Sequence, residues 1–490
     1  MSGLRAGGAD WPASSAYRST RGYGAGAPVS FTDILLEGLA PDGGLYWPAA
    51  FPRFDRAGRS ELRRLFAAAG YAGLAAAVLA PYTGGLPAAD LAACCARAYR
   101  SDKFGGPVVA PVSPLGRGLW LAHLSNGPTA AFKDLAMQLL AELFEQELAR
   151  LDGRLTILGA TSGDTGSAAE QAMAGKSRVR VVMLSPQGRM TAFQRGQMYG
   201  LHDPRIVNVT VPGAFDDCQD LVKAVNADAA FKARHAIGAV NSINWARLAA
   251  QVVYYVSSWL QVTQDDDDPV SFCVPTGNFG NIISAHIARQ MGFPIRQIVL
   301  ATNENNVLAE FFATGVYRVR SAAETLATSS PSMDISKASN FERFIFDLLD
   351  GDAVATARLF GQELPANGRI DLSQTPLPER ARGQYGFRAG SSGHADRIAV
   401  IRALHERTGY IVDPHTADGL HVAQAFLANE PMVCMETALP IKFADTVTEA
   451  IGRPAPVPPR FAGVLTAEPH VVELTGGLSQ LKDIIAAHAA

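Results

Sequence analysis

The 490-residue chain has only five cysteines, and none is spaced for chemistry. Cys94 and Cys95 are adjacent and Cys218, Cys273 and Cys434 stand alone, which excludes metal-ligand spacing and a disulfide framework and fits reduced core thiols in a cytoplasmic protein. An excess of charge is also missing. With 43 basic and 46 acidic residues the net charge is −3, so nothing favours a nucleic-acid surface or a disordered acidic tail. No apolar run reaches the ~20 residues that cross a bilayer. The best stretch, 248–262, is broken by Gln251, Ser257, Ser258 and Gln261 and reads as a buried helix. The first sixteen residues, rich in Gly, Ala and Ser, lack the apolar core of a signal peptide and are expected to fray. What remains is a small-molecule partner, with no nucleic acid, no membrane and no metal, and with oligomeric state left open.

What is present is a long chain with room for two or three units at ~150 residues each. Residues 1–105 are expected to be mostly helical, because Leu and Ala recur at helical spacing from 60 to 99, after a short helix that ends at the turn residues Pro41, Asp42, Gly43 and Gly44. From residue 108 the pattern alternates. Short β-branched runs predict strands at about 120–124, 155–159, 179–184 and 206–211, with helices at about 133–150 and 167–174. Such alternation predicts an α/β fold with parallel strands and helices on both faces, here a smaller unit at 106–240 and a larger one at 241–465. The larger unit has predicted strands at 271–276, 297–302, 410–412 and 432–435, an inserted subdomain at about 303–390 and a tail at 466–490. Four acids at 265–268 read as a solvated loop without function.

Ligands in this architecture bind beyond the carboxyl ends of the strands, which directs attention to the loops that follow them. Lys133 opens its helix just after Gly127, Pro128 and Thr129 turn the chain. A lone lysine is most often a solvated charge. At a partly buried helix start, however, desolvation and the helix dipole both disfavour the ammonium and leave an amine suited to a Schiff base. The loop Thr161-Ser162-Gly163-Asp164-Thr165-Gly166 is either a plain turn or an anion site built from Ser162, Thr165 and free N–H groups. Gly277, Asn278, Phe279, Gly280 and Asn281 join a buried strand to a helix, the arrangement of a phosphate cradle. They lack the Gly-Lys-Ser/Thr ending of a nucleotide loop and the spacing of a dinucleotide fingerprint. Asn241, Ser242, Asn244 and Arg247 cluster where a buried helix begins; N-capping explains one of them but not four. Arg343 is a phosphate ligand or an ordinary ion-pair partner, and His415 is a proton shuttle or, more commonly, a loop-bonding histidine.

Taken in order, G-P-T-x-x-F-K-D at 127–134, S-G-D-T-G at 162–166, N-S-I-N-W-A-R at 241–247, G-N-F-G-N at 277–281, M-D-I at 333–335, S-N-F-E-R at 339–343 and T-A-L-P-I-K-F at 437–443 resemble the motifs of the threonine synthase family. The resemblance covers residues 17 to about 452. It implies a fold type II pyridoxal phosphate enzyme (tryptophan synthase β-like), with two parallel-sheet α/β domains and a helical N-terminal region. It further implies that Lys133 holds pyridoxal 5'-phosphate, that Gly277, Asn278, Phe279, Gly280 and Asn281 bind its phosphate, and that Thr437 faces the pyridine nitrogen. Ser162, Gly163, Asp164 and Thr165 would take the substrate carboxylate, with Asn244, Arg247, Asn340 and Arg343 as candidates for the phosphate of O-phospho-L-homoserine. The implied reaction, a carbon–oxygen lyase step, gives L-threonine and phosphate at the end of threonine biosynthesis. Leu439 stands where the family usually has a histidine, so no proton-transfer role carries over there. A phospho-lyase or dehydratase of the same fold would share Lys133 and both glycine loops, and a non-catalytic ligand-binding α/β protein would share the fold; the product formed from O-phosphohomoserine separates them.

Overall fold

The computed structural model describes residues 15–321 and 323–489, so residues 1–14 of the segment expected to fray lie outside the described residues. The N-terminal region is mostly helical, with helices Phe31–Glu37, Arg56–Leu79 and Ala88–Ala98. It also contains a small antiparallel pair, β1 (Tyr17–Ser19) with β2 (Tyr46–Pro48), which brings the two ends of segment 17–48 together. Asp55 caps the long helix by accepting from the Gly58 N–H, and Leu62, Tyr71, Leu74 and Val78 form its buried stripe.

The remaining strands are β3 (Val112–Gly116), β4 (Leu119–Ala122), β5 (Leu155–Ala160), β6 (Val179–Pro186), β7 (Ile206–Val211), β8 (Ile237–Gly238), β9 (Val270–Pro275), β10 (Ile295–Thr302), β11 (Val316–Arg318), β12 (Arg369–Asp371), β13 (Phe387–Ser391), β14 (Met432–Met435) and β15 (Val472–Glu473). Six of them form one sheet in the order β13-β10-β9-β14-β4-β3, parallel except for β3 against β4. Five form a parallel sheet in the order β15-β7-β6-β5-β8. The inner strands of both sheets, β10, β9, β14 and β4 in one and β7, β6 and β5 in the other, are apolar and largely buried on both faces, as parallel strands covered by helices must be, while the edge strands β3, β13 and β15 are more exposed. Helix Lys133–Arg150 packs against helices Ala88–Ala98, Asp164–Met173 and Trp245–Val262. It is buried from Asp134 to Phe144.

Sheet membership departs from the linear division of the chain. β3 and β4 fall within 106–240 but pair into the six-stranded sheet through β14, more than 300 residues away. β15 and helix Gly477–Ala489, in the segment expected as a tail, complete the five-stranded sheet. β13, at the end of the inserted segment, is an edge of the six-stranded sheet. Local sequence carries no mark of such distant partners. Residues 410–412, expected as a strand, make no ladder; Tyr410 instead turns its hydroxyl to Glu436, and Asp413 caps helix Pro414–Ala423 directly afterwards. Stretch 248–262 is, as expected, a buried helix: Trp245–Val262 is buried from Trp245 to Leu260.

The acids at 265–268 do more than solvate a loop. Asp265 and Asp267 pair with Arg56, Asp267 also with Arg59, and Asp266 with Arg63, clamping helix Arg56–Leu79 to the end of helix Trp245–Val262. Arg59 is the buried centre of the clamp, donating to the carbonyls of Phe54, Gly292 and Asp266. Arg59→Ala should therefore cost about 2–3 kcal/mol of unfolding free energy in a urea titration, because three carbonyls lose their donor. Arg56→Ala, which removes only exposed pairs, should leave the transition midpoint unmoved.

Candidate active site

In the six-stranded sheet β14 lies between β4 and β9, so the loops leaving the carboxyl ends of these three strands are neighbours. They carry Lys133, residues 437–443 and the glycine loop at 277–281. An isolated bridge joins Ala131 to Ala438, and the Phe132 N–H donates to the Thr437 carbonyl at 2.9 Å. The Lys133 loop is thereby fixed to the exit of β14.

The motif residues around Lys133 are fasteners. Asp134 accepts from both the N–H and the hydroxyl of Thr129, at 2.8 and 2.7 Å. A Cβ on Gly127 would lie 2.4 Å from Asp134 Oδ2, which explains the glycine. Ala130 is held at φ 60°, a left-handed conformation rare for a residue with a Cβ. Burial pushes the Asp134 carboxyl up to about 6 in spite of its bonds to Thr129. Lys133 itself begins the helix with 13% of its side chain exposed, and its Nζ is 3.7 Å from Asp164 Oδ2. Burial lowers the Lys133 ammonium below the ordinary lysine range; Asp164 opposes that shift, while Lys442 and Arg247 add to it.

Asp164 starts the helix that follows β5, but its carboxylate is not free to meet a substrate. Lys442 Nζ lies 2.7 Å from Oδ1, which also accepts from Gln194 at 3.0 Å, and Ser332 donates to Oδ2 at 2.9 Å. Burial alone would raise its carboxyl, but Lys442 and Lys133 hold it well below the usual range. As an anion already enclosed by cations and donors, Asp164 does not fit the substrate-carboxylate role expected of it. The other members of that loop keep free donors: Ser162 is exposed, Thr165 half-buried, and neither side chain, nor the N–H of Ser162, Asp164 or Thr165, has a partner among the described residues. Gly163, at φ 136°, has no space for a Cβ beside Gln194.

In the second glycine loop, the N–H groups of Asn278, Phe279, Gly280 and Asn281 likewise find no acceptor among the described residues, and they open helix Gly280–Gln290. Phe279 sits at φ 63° with its ring buried among Phe312, Phe341, Phe344 and Phe387. That packing offsets the backbone strain, so Phe279 contributes its N–H and not its ring. A Cβ on Gly277 would fall 2.9 Å from Ile335 Cγ1 and 3.2 Å from Met333 Cα. The Asn281 side chain accepts from the hydroxyls of Tyr254 and Tyr255, which anchors the first turn.

Four further residues separate into two kinds. Asn244 is the N-cap of helix Trp245–Val262 and also donates to the Leu35 carbonyl, so both ends of its amide are engaged. Asn340 and Arg343 brace the cradle from behind. Asn340 donates to the Ser242 carbonyl and accepts from Arg343, whose other nitrogens reach the carbonyls of Tyr46 and Ile243. Arg343 is fully buried, which lowers its guanidinium to about 9. None of these three is left to hold a substrate phosphate. Arg247 differs. It is 2% exposed, its single bond is from Nη1 to the Val240 carbonyl, and its Nε is buried without a partner. Burial lowers it to about 10, and no carboxylate among the described residues pairs with it.

Thr437 ends the circuit. Its N–H donates to Thr416 Oγ1, Thr416 is held by Asp413, and its own hydroxyl has no partner among the described residues. Neighbouring Glu436 is occupied by Ser125 and Tyr410. His415, in the first turn of helix Pro414–Ala423, is a structural link: Asp413 binds Nδ1 at 2.7 Å and the Ser332 N–H donates to Nε2 at 3.0 Å. Sequence reasoning missed the contributions of Gln194, Gln197, Ser332 and Lys442. The first two were signalled by a capping box, Thr191 with Gln194, that opens their helix and places Gln197 one turn on, where it donates to the Thr129 carbonyl.

A buried, charge-depressed lysine, an empty-handed hydroxyl and a row of unpaired N–H groups at a helix start together fit an aldehyde cofactor bearing a phosphate, and define a pyridoxal-phosphate-dependent α/β enzyme. The family model for pyridoxal-phosphate dependent enzymes matches residues 108–363. Flanking it, the models for the threonine synthase N terminus and C-terminal region match 16–99 and 416–485, and the chain belongs to the threonine synthase family. It is 56% identical to threonine synthase of Corynebacterium glutamicum over 94% of this chain and 95% of that one, and 50% identical to that of Methylobacillus glycogenes over 96% and 99%. The crystal structure of pyridoxal-phosphate-bound threonine synthase from Brucella melitensis superposes with a TM-score of 0.90 at 38% identity, covering 97% of this chain and 99% of that one. The yeast enzyme gives 0.89 at 34%, again over 97% and 99%. The cofactor is pyridoxal phosphate and the activity is that of a threonine synthase.

Gly277→Ala tests the cradle. The added methyl has to displace Ile335 and the backbone at Met333, so cofactor affinity should fall at least ten-fold in an absorbance titration while the far-ultraviolet dichroism stays native.

Proposed function

We propose that Lys133 bonds pyridoxal phosphate covalently, that the amides of residues 278–281 take its phosphate, that Thr437 offers its hydroxyl to the pyridine nitrogen, and that the substrate is O-phospho-L-homoserine, converted with water to L-threonine and phosphate. When bound, the cofactor supplies an electron sink for carbanions formed beside the substrate nitrogen. The chain supplies placement and proton transfer. The Lys133 amine, whose ammonium form is disfavoured by burial and by Lys442 and Arg247, can take a proton from a substrate carbon and return it to another. Ser162, Thr165 and the free N–H groups around them suit the substrate carboxylate.

The observation that carries the choice of a phosphorylated substrate is Arg247. A buried guanidinium that has, among the described residues, one carbonyl partner, an orphaned Nε and no acid is costly by itself, and an anion is the chemistry that satisfies it. A phosphate placed there gains charge-assisted bonds that an unphosphorylated homoserine cannot make.

Two outcomes follow. Borohydride reduction and peptide mapping should leave the pyridoxyl group on Lys133, and Lys133→Ala should abolish threonine formation while still binding cofactor noncovalently through the separate cradle. Arg247→Met should lower kcat/KM for O-phosphohomoserine by about 10²-fold, the equivalent of ~3 kcal/mol, and bring it toward the value for homoserine. Because it removes an unpaired buried charge, the same change should hold or raise stability to urea. Equal turnover of homoserine by the unaltered protein would exclude this substrate, and release of 2-oxobutyrate in place of threonine would favour a dehydratase.

A further inference from the structure

One carboxylate in the site serves two lysines. Lys442, in the 3-10 turn Pro440–Phe443 after β14, is fully buried, with Nζ 2.7 Å from Asp164 Oδ1 and 3.0 Å from the Thr129 carbonyl oxygen. Lys133 faces the other oxygen, Oδ2, at 3.7 Å, beyond hydrogen-bonding distance. Gln194 and Ser332 occupy one further direction on each oxygen. The charged groups acting on Lys133 are thus Asp164 from the helix after β5, Lys442 from the turn after β14, and Arg247 from helix Trp245–Val262. Asp164 lies beside the five-stranded sheet and Lys442 beside the six-stranded one.

We infer that Lys442 is a positioning residue for Lys133: by engaging Asp164 it keeps that carboxylate from closing on Lys133, and so leaves the Lys133 amine free to act as nucleophile and base. This rests on the assignment of Lys133 as the cofactor lysine. The arrangement has a second consequence. When Lys133 takes a proton from the substrate it becomes an ammonium 3.7 Å from Oδ2, and Asp164 can steady it there until the proton returns to a substrate carbon. Asp164 stays ionised throughout, since Lys442 never leaves it, and no proton passes to the carboxylate. The clip on Thr129 is not the reason for Lys442, because Gln197 donates to the same carbonyl at 2.9 Å.

Electrostatics gives the two partners opposite signs, which a merely structural role does not. The probe is acetic anhydride in trace amount on the full-length, cofactor-free protein, with acetylation of the Lys133 peptide followed by mass spectrometry across pH. Lys442→Met removes a like charge and frees Asp164 for Lys133, so the labelling midpoint should rise by about one pH unit, equivalent to roughly ten-fold slower labelling below it. Lys442→Arg should restore it. Asp164→Asn leaves Lys133 facing Lys442 and Arg247 alone, so its midpoint should fall. If Lys442→Met does not fold, Asp164→Asn and the double variant Asp164→Asn with Lys442→Met, whose midpoint should lie between the singles, carry the test. Midpoints that do not move, or that move the same way in Lys442→Met and Asp164→Asn, overturn the inference. A pyridoxyl group found on another lysine overturns the assignment of Lys133 and the inference with it, whereas unmoved midpoints with the group on Lys133 overturn the inference alone.

Discussion

Asp164 is a carboxylate removed from water, and much of the site is arranged around keeping it charged. Burying an ion of that size costs several kcal/mol unless its lone pairs are met. Here they are met by Lys442, Gln194 and Ser332, contributed by the turn after β14, the helix after β6 and the inserted segment. Three parts of the chain therefore have to be in place together before the charge is tolerable. The same Ser332 gives its N–H to His415, which Asp413 orients, and Asp413 and Thr416 in turn hold the start of the Thr437 segment. One buried charge thus links the carboxyl ends of both sheets.

Around it the structure accepts local costs that a binding pocket can use. Ala130 and Phe279 occupy left-handed backbone conformations, one in the loop of Lys133 and the other in the cradle. Each is held by its surroundings, Ala130 by the clasp between Thr129 and Asp134 and the bond from the Leu439 N–H to its carbonyl, Phe279 by its aromatic cluster. The N–H groups of residues 278–281 and the Arg247 Nε, which have no partner among the described residues, are further costs. Phosphate and carboxylate groups are the natural acceptors for donors of this kind.

The distinction between Arg247 and Arg343 shows how the scaffold divides labour between residues of one type. Both are buried arginines near the cradle. Arg343 spends every nitrogen on carbonyls and Asn340, tying the N-terminal region at Tyr46 to the inserted helix Phe341–Leu348. Arg247 has one carbonyl and nothing else, and so retains capacity for a ligand. Charge and burial alone do not tell them apart; partner geometry does.

Much of the local architecture was legible in the chain. Short β-branched runs between helical stretches specify parallel strands, glycines mark two loops that leave strands and open helices, with no space for a Cβ at Gly163 and Gly277, and Gly-Pro-Thr marks the turn that puts Lys133 at a buried helix start, because each of these signals is a property of a few consecutive residues. Tertiary structure decided what depends on residues far apart: that β4 pairs with β14 and β15 with β7, that Tyr410 turns to Glu436 and ends a predicted strand, that Asp164 is already engaged by Lys442, and that Asn244, Asn340 and Arg343 are tied to backbone carbonyls while Arg247 keeps an unpartnered Nε among the described residues. The physical reason is the same in each case. A side chain's type fixes what it can bond to, but whether that capacity is already used depends on partners brought to it only when the two sheets come together.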